Sequence, residues 1–157
     1  MCNLSNEVEY IISIFSEVRN EIKGIIKELP AEALNWEPSE SDSNSIFAII
    51  SHICGSEMEW IQDTIGGIKV ERYRDQEFIA AGDNTSQLLE LLDKTQKATS
   101  NVLSKETLLS LARMVQRYPD RPKTTALACT INCLRHISEH VGHLQLTKQL
   151  WEMTKQA

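Results

Sequence analysis

The apolar positions fall into four long helical stretches. Between residues 6 and 29, Val8, Ile11, Ile12, Phe15, Val18, Ile22, Ile25, Ile26 and Leu29 recur every three or four residues, the period of one buried helix face. Pro30 stops this helix, because proline lacks a backbone N–H and clashes with the preceding turn. Leu29 to Trp36 then reads as a short turn of helix that plugs apolar groups over the end of a bundle, with Trp36 as its cap. Residues 38–44 form a polar loop rich in N-cap residues.

A second helix is expected from Ser43 or Asn44 to about Ile65, filled by Ile46, Ile49, Ile50, Ile53, Met58, Trp60 and Ile61 and ended by Gly66-Gly67. The mixed, charged residues 68–82 read as a loop. A third helix spans about Asn84 to Leu103, with Leu88, Leu91, Leu92, Thr95, Ala98, Thr99 and Val102 inside. Residues 105–123 are less regular, suiting a short strand-like or helical link, and Pro119 and Pro122 force a turn. The last helix runs from about Thr124 to Thr154. The expected architecture is an all-α four-helix bundle, one domain over residues 1–157.

Composition narrows the functional classes. The net charge is -6 with no basic stripe, which argues against a nucleic-acid partner. No apolar run approaches the roughly 20 residues of a membrane span, and the first residues lack the pattern of a signal peptide, so the expected location is cytoplasmic. Cys2, Cys54, Cys129 and Cys133 are too sparse for a disulfide scaffold and lack zinc-knuckle spacing. Cys2 falls near a terminus expected to fray, and the others read as reduced thiols. Trp36, Trp60 and Trp151 read as packing anchors.

The chemistry concentrates in the histidines. There are four, and His136, His140 and His143 fall within eight residues of the last helix, while His52 sits mid-way along the second. Positions four apart on a helix are about 40° apart around the axis and one turn up, so His136 and His140 share a face and can chelate one ion. Cys129, Cys133 and Thr147 fall on the same broad stripe, which is normally aliphatic in a bundle and costly to bury when polar. Glu139 precedes the second histidine instead of following the first, so the protease pattern His-Glu-x-x-His is absent. Lying four residues after Arg135, it reads as a surface ion-pair partner. His143 suits either a fourth ligand or a hydrogen-bonding group behind one, and the second role leaves the ion an open position. The plain alternative is a set of satisfied core histidines.

Two stretches carry a family resemblance. Residues 29–38, with Leu29, Pro30, Trp36 and Pro38, followed by Ser45-Ile46 and the helix bearing His52, form the first. His136-Ile137-Ser138-Glu139-His140-Val141-Gly142-His143 forms the second. Together they resemble the DinB/YfiT-like superfamily of metal-binding four-helix bundles, over essentially the whole chain. His143 stands where many members have glutamine. The resemblance implies an up-down-down-up bundle, commonly a homodimer, with zinc or nickel held by His52, His136 and His140 at an open site. It also implies transfer of a low-molecular-weight thiol of the bacillithiol or mycothiol type to an electrophile.

The alternatives are a hydrolase using metal-bound hydroxide and a non-catalytic metal-binding or stress-associated protein. Glu59, seven residues from His52 and so on its face, suits a group orienting water or ligand behind the ion; the plainer expectation is a solvated carboxylate. Cys133, three residues before His136, suits a ligand or a nucleophile, and more simply a small buried thiol filling space. Cys54, two residues from His52, points away from it on the helix.

Overall fold

The first helix ends where proline begins to constrain the chain. The computed structural model describes residues 4–39 and 43–156; Cys2 lies outside them. α1 covers Leu4–Ile26, and Leu29 closes the following turn on the Ile26 carbonyl. The helix stops short of Leu29 because a residue before proline is driven out of the helical region. α2, Ala31–Asn35, starts directly after Pro30. Its Ala33 and Leu34 are the groups that plug the core, and Trp36 stays half-buried outside it. Asn35 anchors this turn by exchanging side-chain hydrogen bonds with the backbone of Gly82.

Side-chain caps set the starts of the other long helices. Ser45 caps α3, Ile46–Glu57, by accepting from Ala48 N. The same rod continues as a π-helical segment, Met58–Ile65, and ends at Gly66 and Gly67, the latter at φ 66°. Residues 68–82 are not simply a loop: they contain α4, Arg74–Phe78. Five residues are too few to show a helical period, so the sequence pattern missed this turn. Asn84 caps α5, Thr85–Leu103. The irregular link resolves into α6, Leu108–Leu111, and β1, Met114–Val115, which pairs antiparallel with β2, Thr124–Thr125. Thr125 then caps α7, Ala126–Thr154.

α1 packs against α5 and α7, and α3 packs against the same two, leaving α1 and α3 diagonal. Cross-contacts give the directions. Ser16 meets Gln96 and Lys23 meets Asp93, so α1 and α5 are antiparallel. Glu21 meets Gln145 and Ile25 meets Lys148, so α1 and α7 are parallel. α3 and its π-helical extension run against α7, with His52 by His136 and Trp60 by Cys129. Glu57 by Thr99 and Gly66 by Val102 set the same rod parallel to α5. In chain order these directions are up, down, down and up.

Apolar burial drives the assembly. Ile22, Ile26, Ile50, Ile53, Ile61, Leu88, Leu92 and Leu144 are fully buried, each contributing about 1.5–3 kcal/mol relative to exposure. Ile137, Val141 and Leu144 bury one edge of α7, while half-buried His136 and His140 occupy the side facing α3. Among the described residues, no helix is long and apolar enough to cross a membrane.

One buried ion pair crosses the diagonal. Arg19 on α1 and Glu57 on α3 are 2% and 1% exposed, and Arg19 Nη2 lies 2.6 Å from both carboxylate oxygens. Thr99 Oγ1 donates to the same carboxylate at 2.5 Å. Removing one partner strands the other charge, whereas replacing both by apolar groups removes the desolvation penalty as well. Glu57→Leu should therefore cost about 3–5 kcal/mol in urea unfolding, and the double variant Arg19→Met/Glu57→Leu should recover most of that loss. Equal destabilisation by the single and double variants would contradict this reading.

Candidate metal centre

Three of the four histidines meet between α3 and α7. His52 comes from the middle of α3, and His136 and His140 from one face of α7. One ring nitrogen from each lies within 4.8 Å of the other two. Nε2 of His52 and Nε2 of His136 are 3.3 Å apart. Two nitrogens bound to one tetrahedral ion at about 2.0–2.1 Å stand about 3.4 Å apart, so this pair is already at chelating separation. The ring centroids of His136 and His140 are 4.7 Å apart, and those of His52 and His140 are 5.3 Å apart.

The electrostatics keep all three rings neutral. Burial pushes the His136 imidazolium down to about 4, helped by the nearby His52 and the Arg117 charge. Burial also brings His140 to about 4, helped by His136, His52 and His143. At His52, burial lowers the value despite the opposing hydrogen bond and charge of Glu77. Neutral imidazole is the form that binds a cation. His136 Nδ1 is buried without a hydrogen-bond partner among the described residues, as are Arg19 Nε and Trp60 Nε1, so it is the converging nitrogens and not this atom that point to an ion. Converging neutral nitrogen donors on two rigid helices fit a divalent ion that favours imidazole ligands.

Glu77 on α4 orients His52. Its Oε2 lies 3.0 Å from His52 Nδ1. A carboxylate paired with a guanidinium only accepts, so Nδ1 carries the hydrogen and the Nε2 lone pair is left for the ion. Arg72 donates to both Glu77 oxygens, at 2.7 and 2.8 Å. Phe78, the next residue, stacks on the His52 ring at 4.7 Å. Gly55 on α3 makes this approach possible: a Cβ there would sit 2.1 Å from Glu77 Oε1. Sequence reasoning missed Glu77, Arg72 and Gly55. The available signals were a glycine inside a helix, where it is intrinsically unfavourable, and the general need of a ligating histidine for a carboxylate behind it.

The other site residues fall around this core. His143 is exposed on α7, with its Nδ1 3.2 Å from Nδ1 of His140, and it stands outside the three-histidine cluster. Glu59 makes its hydrogen bonds to Arg72, Arg117 and Tyr118 and not to the histidines. It is not the solvated carboxylate expected. Burial pushes its carboxyl up, but hydrogen bonds from Tyr118 and Arg117 and the charges of Arg117 and Arg72 outweigh this and hold it below the usual range. It acts on His52 through the chain Glu59–Arg72–Glu77. Glu139 pairs with Arg135 on the outer surface of α7.

Cys54, Cys129 and Cys133 are buried free thiols. Burial pushes Cys54 up to about 12 and Cys129 to about 11, and raises Cys133 well above its ordinary value. Cys133 is a small core group and stands outside the histidine cluster.

Fold and site together define a DinB-like helical bundle with a three-histidine cluster. The chain belongs to the family described as protein of unknown function (DUF1572), matched over residues 4–156. Similar solved structures include a DinB-like protein from Bacillus cereus, with TM-score 0.73 and 14% identity over 90% of each chain. Another is a conserved protein from Enterococcus faecalis, with TM-score 0.70 and 9% identity over 90% of this chain and 95% of that one. A third is a DinB-like protein from Bacillus subtilis, with TM-score 0.68 and 21% identity over 92% of each chain. At these identities the likeness establishes the fold. No curated protein matches the chain.

The Glu77 contact yields a direct prediction. Glu77→Gln and Gly55→Ala should each weaken zinc affinity about 10–100-fold in competition with a chromophoric chelator. Gly55→Ala acts by displacing the Glu77 carboxylate, so adding it to Glu77→Gln should change little further. Additive losses would show that Gly55 acts by another route.

Proposed function

We propose that this protein is a metal-dependent transferase that moves a low-molecular-weight thiol onto a small electrophile. The observation that carries the reading is the convergence of His52, His136 and His140 on one point, backed by Glu77. A divalent ion, zinc or nickel, held by neutral ligands keeps its full charge and makes a coordinated thiol or water acidic near neutral pH.

The chain's own residues perform the remaining work. Glu77 and Phe78 fix the His52 ring, and Arg72 fixes Glu77. His143, whose Nδ1 is 3.2 Å from Nδ1 of His140, would hold that ring by a hydrogen bond. Three protein ligands leave coordination positions for a reactant. Among the described residues, Cys54, Cys129 and Cys133 are buried and held protonated, which favours a thiol supplied from solution over any of them as nucleophile. In the transfer, the thiol loses its proton, its sulfur forms a bond to carbon, and the leaving group departs with the bonding electrons. A homodimer in the cytoplasm completes the proposal.

Protein purified without a metal-affinity tag should carry about one zinc or nickel per chain, and His136→Ala should lose it. The wild type should then consume a model electrophile only when a small thiol is added. Turnover with water alone would replace transfer by hydrolysis, and a chain that cannot be loaded with metal would overturn both.

A further inference from the structure

Beside the histidines lies a pocket of about 230 Å³ whose lining includes His52, His136, Arg72, Arg74, Arg117 and Tyr118. Three guanidinium groups border it, and no carboxylate does among the described residues, in a chain whose net charge is -6. Glu59 and Glu77 stand behind the arginines and set their positions. Each nitrogen of the Arg72 guanidinium donates to one of those two acids, and its Nη2 also lies 3.4 Å from His52 Nδ1.

The other two arginines retain free donors. Arg117 uses Nε and Nη2 on Glu59 and stacks over Trp60 at 4.0 Å, leaving Nη1 without a partner among the described residues. Arg74 stacks over Phe78 at 4.8 Å and makes no hydrogen bond or ion pair among the described residues. Each guanidinium lies over an aromatic ring, and Arg117 Nη1 and the N–H groups of Arg74 stay available, an arrangement suited to a planar or tetrahedral oxyanion. Cavities that enclose a whole ligand are usually about 300–1,000 Å³, so this smaller one suits one end of a molecule.

We propose that Arg74 and Arg117 form an oxyanion subsite that binds a carboxylate or phosphate group of the small molecule presented to His52, His136 and His140. The proposal deepens the transferase reading by naming a chemical feature of its substrate. It rests on that reading for the molecule's reaction but not for its binding.

The test is calorimetric titration of the metal-free protein at low salt with succinate, its uncharged counterpart succinamide, and inorganic phosphate. Using metal-free protein excludes direct capture of the anion by an ion. Succinate or phosphate should bind at least about ten-fold more tightly than succinamide. The tighter of the two anions assigns the subsite to carboxylate or to phosphate. Arg74→Gln should remove that preference, Arg74→Lys should restore part of it, and the remote variant Arg135→Gln should leave it unchanged. Equal affinity for succinate, phosphate and succinamide, no anion binding, or a preference that survives Arg74→Gln would overturn the subsite. A protein that binds the anion but takes up no metal would overturn the transferase reading and leave the subsite standing.

Discussion

The hydrogen bond between His52 and Glu77 joins parts of the chain that would otherwise be independent. Imidazole can present either nitrogen to an ion, and burial alone does not choose between them. The carboxylate on Nδ1 makes the choice, turning Nε2 toward His136 at chelating distance. The contact continues from Glu77 through Arg72 and Glu59 to Arg117 and Tyr118. The connection after the π-helical segment and the one before α7 thus converge on the same two helices. Gly55 is the steric condition for this, since any side chain there would occupy the carboxylate's place.

Two kinds of polar burial coexist in this bundle. Arg19 and Glu57 neutralise each other, and Thr99 adds a further hydrogen bond to the carboxylate. The three histidines instead lower their charge by staying unprotonated, which leaves lone pairs facing one another and a buried nitrogen unpartnered. The first arrangement pairs its charges within the protein, although Arg19 Nε is left without a hydrogen-bond partner among the described residues. A cation would complement the converging lone pairs of the second, and this contrast between paired charges and converging neutral donors is the physical basis for reading one as structural and the other as functional.

The four long helices were legible because each spans several turns and repeats its apolar period, as with Ile22, Ile25, Ile26 and Leu88, Leu92. The pairing of His136 with His140 was equally legible, since spacing on one helix fixes a shared face. Bringing His52 to them required the bundle's topology, which the family resemblance supplied and helical periodicity did not. α4 was invisible at five residues, and with it Glu77 and Phe78. Glu59 was placed correctly on the rod that carries His52, but its partners Arg72, Arg117 and Tyr118 lie 13 or more residues away in irregular segments. No local pattern encodes such contacts. The Arg19–Glu57 pair escaped notice for the same reason, because charges at helical spacing usually mark a solvated face.

The central claim is that His52, His136 and His140 bind one ion while His143 and Glu59 stand behind them. Anomalous diffraction at the metal edge, from crystals of zinc-loaded protein, tests it most directly. The account predicts one strong peak about 2.0–2.1 Å from a nitrogen of each of the three rings, with no protein ligand from His143 or Glu59. A peak coordinated by His143 or a carboxylate in place of His52, or no peak between α3 and α7, would contradict it.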